Sequence, residues 1–303
     1  MRLKGLFRRD RSEEDPAPAP PDEAPAPIPF PALPGPPRAL PDPVRDDALL
    51  AAALGLCWRR GVLFAWNDLR RVARGVLLCR QAGARRAHVA QPWIPSEADE
   101  VLLEEARRLE MEEEAVRILA EGRAAHMPAL GGSLDCDAPR PWWLRAPHDH
   151  PDLREMAGGP ELVLDGSQLI HWPDPVARLR SLAATGARHV VLETPVIRSE
   201  GALRRAGYTP GALWHATGMT PAQSAAMAEF WAESGVALDQ YRRFPHGFSL
   251  AEARSAGLGG QAWWSFTDEA GLRRLLRASG FALRSARPVW DGRSLVIVAE
   301  REA

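Results

Sequence analysis

Apolar residues along this chain follow two rhythms, short consecutive runs and stripes at spacings of three and four, and the two alternate from about residue 44 onward. The clearest cycle is Glu161–Arg198. Its short apolar run Glu161–Leu164 ends at Asp165-Gly166, a pair that breaks a strand. Pro173 and Pro175 flank Asp174, and proline is accepted in the first turn of a helix but not in its interior. A helix is therefore predicted to begin near Asp174, with Val176, Leu179, Leu182 and Ala183 on its buried stripe and Gly186 as its stop. His189–Glu193 follows as another buried strand. Strand, loop, helix and strand in so short a span is the arithmetic of a right-handed crossover between parallel strands.

The same alternation runs on either side. Asp46–Arg60 has a helical stripe of Leu49, Leu50, Ala53, Leu54 and Cys57, and Gly61–Trp66 reads as a buried strand. Asn67-Asp68 caps a helix that carries Leu69, Val72, Val76 and Leu77 and ends before Gly83, and Ala87–Ala90 is the next strand. Ser96–Asp99 opens a helix with Val101, Leu102, Ala106 and Leu109 apolar. Beyond it, periodicity leaves two readings open. Either that helix continues to Gly122, or it breaks near Met111–Glu113 and Ala115–Glu121 is a strand. Residues 131–160, rich in Gly and Pro, are expected to be loop with one turn of helix. Thr220 with Gln223, and Ser249 with Glu252, are capping boxes that open two further helices. Thr267-Asp268-Glu269 caps a helix through Leu272, Leu275, Leu276 and Ala278. Phe281–Trp290 and Ser294–Glu300, joined through Asp291-Gly292, form a hairpin.

Composition adds a boundary. Residues 1–43 hold a short basic stretch, then a Pro/Ala-rich run with scattered acids from Ser12 to Pro43 that cannot build a core. A disordered or polyproline-II tail is expected there, followed by one folded domain over 44–303. Within the tail, PALPGPP offers a PxxP-type ligand to a protein partner. The net charge of −1 argues against a bulk electrostatic grip on nucleic acid or on an anionic membrane. Lys4 is the only lysine, so the abundance of arginine beside alanine and proline reads as coding bias rather than phosphate recognition. Cys57, Cys79 and Cys136 form no CxxC pair and imply neither a disulfide framework nor a zinc ribbon. Cys136 with His148 and His150 would suit zinc, but a fourth ligand is not apparent and no metal site is expected. No apolar run is long enough to span a bilayer, and no apolar h-region follows the basic N-terminus, so a cytoplasmic location without membrane insertion is expected. The sequence holds no P-loop, GxSxG or HExxH motif.

LVLDGSQLIHWPDPVARLRSL followed by HVVLETPVI resembles the fourth and fifth strands of class I S-adenosylmethionine (SAM) methyltransferases. The likeness is closest to the branch related to wobble-uridine tRNA modification, with His171, Pro175, Leu179, Glu193, Thr194, Val196 and Ile197 on matching positions. WWSFTDEAGLRRLLRASGF and the hairpin after it resemble the C-terminal end of the same fold. The resemblance implies a Rossmann-like class I methyltransferase fold, α/β, with a mainly parallel seven-stranded sheet ending in an antiparallel hairpin. It implies a substrate-specific helical insertion at about 199–261, and it favours the strand reading of Ala115–Glu121 as the third strand.

Such a fold holds SAM through a glycine loop after strand 1, an acid ending strand 2 and an acid after strand 3. Carried over residue by residue, the cofactor-binding positions are Trp66, Asn67, Asp68, Gln91, Arg123, Asp165 and Gly166, and several depart from the pattern. Trp66 and Asp68 stand where glycines permit close backbone approach. Gln91 replaces the ribose-binding acid, and Arg123 falls on the position of the third acid. His171 is the candidate general base or positioning group, with a backbone-bonded histidine before the helix as its bland alternative. Trp142-Trp143 and Trp263-Trp264 either stack on a flat acceptor or plug the core. Two functions follow from the resemblance. One is a SAM-dependent methyltransferase acting on a small-molecule or nucleic-acid acceptor. The other is a non-catalytic relative that has lost SAM and serves as a binding or scaffolding subunit.

Overall fold

The computed structural model describes residues 47–65, 68–91, 95–126, 142–146, 150–166, 169–233 and 263–302. The expected tail, Trp66, Asn67, Cys136, His148 and the Ser249 capping box lie outside the described residues. In chain order the elements are α1 (Ala48–Leu56), β1 (Gly61–Phe64), α2 (Leu69–Gln81), β2 (Arg86–Gln91), α3 (Ala98–Arg108), α4 (Glu112–His126), β3 (Trp143–Arg145), α5 (Leu153–Met156) and β4 (Leu162–Gly166). A 3-10 turn at Leu169–His171 leads to α6 (Pro175–Ala184), β5 (His189–Pro195), α7 (Gly201–Arg205), β6 (Leu213–His215) and α8 (Pro221–Ala232). The chain closes with β7 (Ser265–Thr267), α9 (Glu269–Ala278), β8 (Phe281–Val289) and β9 (Ser294–Arg301).

Local chemistry fixes the helix starts. Side-chain oxygens of Asp47, Asp68, Asp174 and Asp268 accept from Leu50, Arg71, Ala177 and Gly271 backbone N–H groups that have no partner inside their helices. Thr220 and Gln223 complete the expected reciprocal box, with Gln223 N–H donating to Thr220 at 3.2 Å and Thr220 N–H to the Gln223 side chain at 2.9 Å.

The strands assemble in the order β3-β2-β1-β4-β5-β9-β8. Neighbours are parallel from β3 to β5, and β9 joins β5 and β8 antiparallel, as the hairpin predicted. Successive side chains alternate across the sheet. Leu162, Leu164 and Val191 join the core under α1–α4, whereas Val163, Val190 and Leu192 join the one that includes α6 and α9.

One strand expectation fails. Residues 112–126 are the helix α4, not a strand. Met111, Ala115 and Ile118 are its buried stripe at helical spacing, and Glu112, Glu113 and Glu114 place negative charge at its positive N-terminal end. The third strand is Trp143–Arg145 instead, paired to β2 through Val89 and Trp143, inside the stretch expected to be loop. Its Trp142 neighbour is buried and donates its indole N–H to Asp99 on α3 at 3.1 Å. The stretch expected as a helical insertion, about 199–261, contains the strand β6, which pairs antiparallel with β7 just beyond that stretch. Around it, Tyr208, Met227, Phe230, Trp231 and Trp263 build a third core over Ile170 and Ile197, which follow β4 and β5.

Candidate functional site: the β1–β4 crevice

Two neighbouring strands of the parallel sheet send the chain opposite ways. From β1 it crosses to β2 on one side, and β4 lies on the other. At such a reversal the connections part and leave a crevice beyond the carboxyl ends of the strands, where open α/β sheets bind ligands. Ala65, at the end of β1, and Asp165, at the end of β4, border it.

A buried ion pair occupies this edge. Arg178 Nε donates to Asp165 Oδ2 at 2.9 Å, with the two side chains 0% and 1% exposed. Arg178 Nη2 donates to the Ala65 carbonyl at 2.7 Å, and Ala65 N–H donates to the Leu164 carbonyl at 2.8 Å. The last backbone described on β1 is thus tied to both β4 and α6. The guanidinium also lies 5.1 Å from the centre of the Trp172 ring, within cation–π reach. Removing a guanidinium and a carboxylate from water costs several kcal/mol each by continuum reasoning, repaid only when every polar atom is satisfied. Among the described residues Asp165 Oδ1 and Arg178 Nη1 have no hydrogen-bond partner. Burial pushes the Asp165 carboxyl up, and the Arg178 guanidinium pulls against that shift.

Gln91 ends β2 at 4% exposure, and its Nε2 also lacks a partner among the described residues. By strand alternation it shares the face of Val89, opposite to that of Asp165, which shares the face of Val163. Among the described residues, the carboxyl edge therefore carries buried polar atoms without a hydrogen-bond partner on both faces.

Other expected residues have plainer surroundings. Asp68 caps α2 through the Arg71 N–H at 3.1 Å. Gly166 is buried in β4, paired with Glu193. Arg123 belongs to α4 and does not follow a third strand, because the strand that placed it there is a helix. His171 closes the 3-10 turn after β4, with its ring edge-on to Trp263 at 6.5 Å. Glu193 is a paired carboxylate: Arg71 bonds it together with Asp47, and these two acids, outweighing burial, raise the guanidinium's pKa. Trp142, Trp143 and Trp264 are core plugs at 2% exposure or less.

Arg178 went unread in the sequence. The buried face of α6 is Pro175, Arg178, Leu179 and Leu182, so the stripe is rotated from the expected one and Val176 is only half-buried. The signal was an arginine four residues before Leu182, on the face that must pack. Among the described residues no cluster of His, Cys, Asp and Glu could hold a metal ion, and no helix is long and apolar enough to cross a membrane.

No protein-family profile and no curated protein matches the chain. Solved structures do. The chain is similar to Burkholderia thailandensis 1,6-didemethyltoxoflavin-N1-methyltransferase, bound to 1,6-didemethyltoxoflavin and S-adenosylhomocysteine, at 16% identity and a TM-score of 0.43, over 86% of this chain and 82% of that one. It is similar to the magnesium protoporphyrin IX methyltransferase of Synechocystis PCC 6803 bound to S-adenosylhomocysteine, at 16% identity and a TM-score of 0.39, over 85% and 82%. A third likeness, at 13% identity and a TM-score of 0.39 over 83% and 95%, is to a SAM-dependent methyltransferase from Mesorhizobium loti. Strand order, strand directions and the closing hairpin are together those of the Rossmann-like class I methyltransferase fold.

Proposed function

We propose that this chain is a binding protein built on the methyltransferase fold, whose β1–β4 crevice takes a polar ligand other than SAM. The observation that carries this reading is the buried Asp165–Arg178 pair, with one acceptor and one donor that have no hydrogen-bond partner among the described residues of the sheet's carboxyl edge. A ligand offering a donor to Asp165 Oδ1 and an acceptor to Arg178 Nη1 would complete both groups and recover their desolvation cost.

The ordinary SAM grip does not fit these residues. No glycine occurs between Gly61 and Gly75, so the sequence after β1 lacks the residue that lets backbone approach a ligand without a side chain between them. The Ala65 carbonyl that follows β1 is already engaged by Arg178. At the end of β2 a carboxamide replaces the carboxylate that would accept two ribose hydroxyls.

Gln91 also supports a second reading, a SAM-dependent methyltransferase acting on a small molecule or a nucleic-acid base, as in the wobble-uridine branch. Its buried amide, with an Nε2 that has no partner among the described residues, is the kind of group that binds a ribose edge. Equilibrium dialysis of the full chain against radiolabelled SAM at millimolar concentration separates the two. No excess of label on the protein side is expected. Stoichiometric retention, displaced by S-adenosylhomocysteine, overturns the binding-protein reading in favour of the enzyme.

A further inference from the structure

The turn of the β8–β9 hairpin is built against backbone preference. Trp290 and Asp291 have φ of 49° and 50°, left-handed values that side chains other than glycine adopt at a cost, and Gly292 continues the run at 75°. The turn is held from behind. The Arg293 guanidinium lies 4.1 Å over the Phe230 ring and donates to the Phe230 carbonyl at 2.8 Å, and Arg198 donates to the Asp291 carbonyl at 3.1 Å. The result is display. The Trp290 ring lies against buried Trp231, centroids 5.7 Å apart and planes 26° from parallel, while 45% of the residue stays exposed. Trp58 is as exposed, but the Arg59 guanidinium covers its ring at 4.2 Å.

The N-terminal segment starts from the same edge of the sheet. Asp47 is gripped through both carboxylate oxygens by Arg71, at 2.7 and 2.8 Å, and Arg71 also bonds Glu193 near the end of β5. Pro195, two residues on, pairs with Ser294, and Val196 N–H donates to the Arg293 carbonyl at 2.9 Å. By strand rise and spacing, Trp290 lies about 15 Å from Glu193. Ten residues separate Asp47 from Pro37, and a polyproline-II chain of that length would reach about 30 Å. The Pro-rich run therefore reaches the exposed indole with length to spare.

We propose that the Pro-rich N-terminal segment of this chain docks in cis on the Trp290 face of the β8–β9 hairpin. Proline rings pack on aromatic faces, and a polyproline-II strand arrives with little conformational entropy left to lose. A contact too weak to hold two separate molecules suffices here, because a short linker supplies an effective concentration near millimolar. This proposal is independent of what the β1–β4 crevice binds.

A photo-crosslinking residue in place of Phe30 in the full-length chain tests it. Cross-links to Trp290–Arg293 or the end of α8 are expected, at a yield unchanged by dilution and absent between isotopically labelled and unlabelled copies. Trp290→Gly removes the ring while relieving the left-handed backbone, so the variant is expected to fold, and it should lower that yield several-fold. An undiminished yield in Trp290→Gly overturns the proposal. So do cross-links mapping elsewhere, cross-links between copies, or none at all.

Discussion

His189 opens β5 with Arg60 Nη1 3.4 Å from its Nδ1 and the Glu300 carboxylate 3.9 Å from its Nε2. Burial, then Arg60, lowers its pKa from 6.5, with Glu300 opposing. The folded state thus resists protonation that the unfolded chain accepts, and the contribution of His189 is present above pH 6.5 and lost as pH falls below it. Urea midpoints measured at several pH values should decline below about 6.5, by no more than about 1.4 kcal/mol per pH unit for one group. His189→Gln should flatten that limb, and an unchanged limb would assign it elsewhere. At this scale the sequence was unevenly legible. Asp174 and Thr220 announce themselves as caps because their partners lie three residues away. Arg178 does not, because its partners Asp165 and Ala65 lie 13 and 113 residues away and burial reverses what an arginine ordinarily signals.

Helix α2 packs on β1 through Gly75. A Cβ added there would meet the Phe64 ring at 2.5 Å and the Leu50 side chain at 3.0 Å. Gly75→Ala gains about 1 kcal/mol of helix propensity. It loses about 1–3 kcal/mol to overpacking against β1. The packing loss should prevail, and a thermal melt is expected to shift down by a few degrees; an upward shift would mean that β1 yields. The positions of elements with strong caps and breakers could be read directly, as those of β4, α6 and β5 were, although the buried face of α6 was not. Residues 112–126 could not, because VRILA suits a strand as well as a helix and the deciding facts, three N-terminal glutamates and the stripe through Met111, Ala115 and Ile118, gain their force from packing. β3 escaped for the opposite reason. Three residues between loop segments carry no period, and only pairing with β2 makes them a strand.

Over the whole molecule, the alternation of strand and helix and the closing hairpin pointed to a parallel sheet with an antiparallel edge, since crossovers of one hand leave few topologies. The count of seven strands came from the resemblance, and the third strand was misplaced. The candidate site was half legible. Asp165 and Gln91 stood at strand ends where ligands bind, but their unsatisfied atoms exist only once the chain is packed. If Asp165 and Arg178 are kept for a ligand rather than for stability, the pair should be dispensable to the fold as a pair. The direct measurement is urea denaturation of Asp165→Leu, Arg178→Met and the double variant beside the parent chain. Each single change should cost about 3–5 kcal/mol by stranding a buried charge, while the double variant should match or exceed the parent. A double variant weaker than the parent by more than about 2 kcal/mol would show a pair that holds the fold together, and would contradict a role in ligand binding.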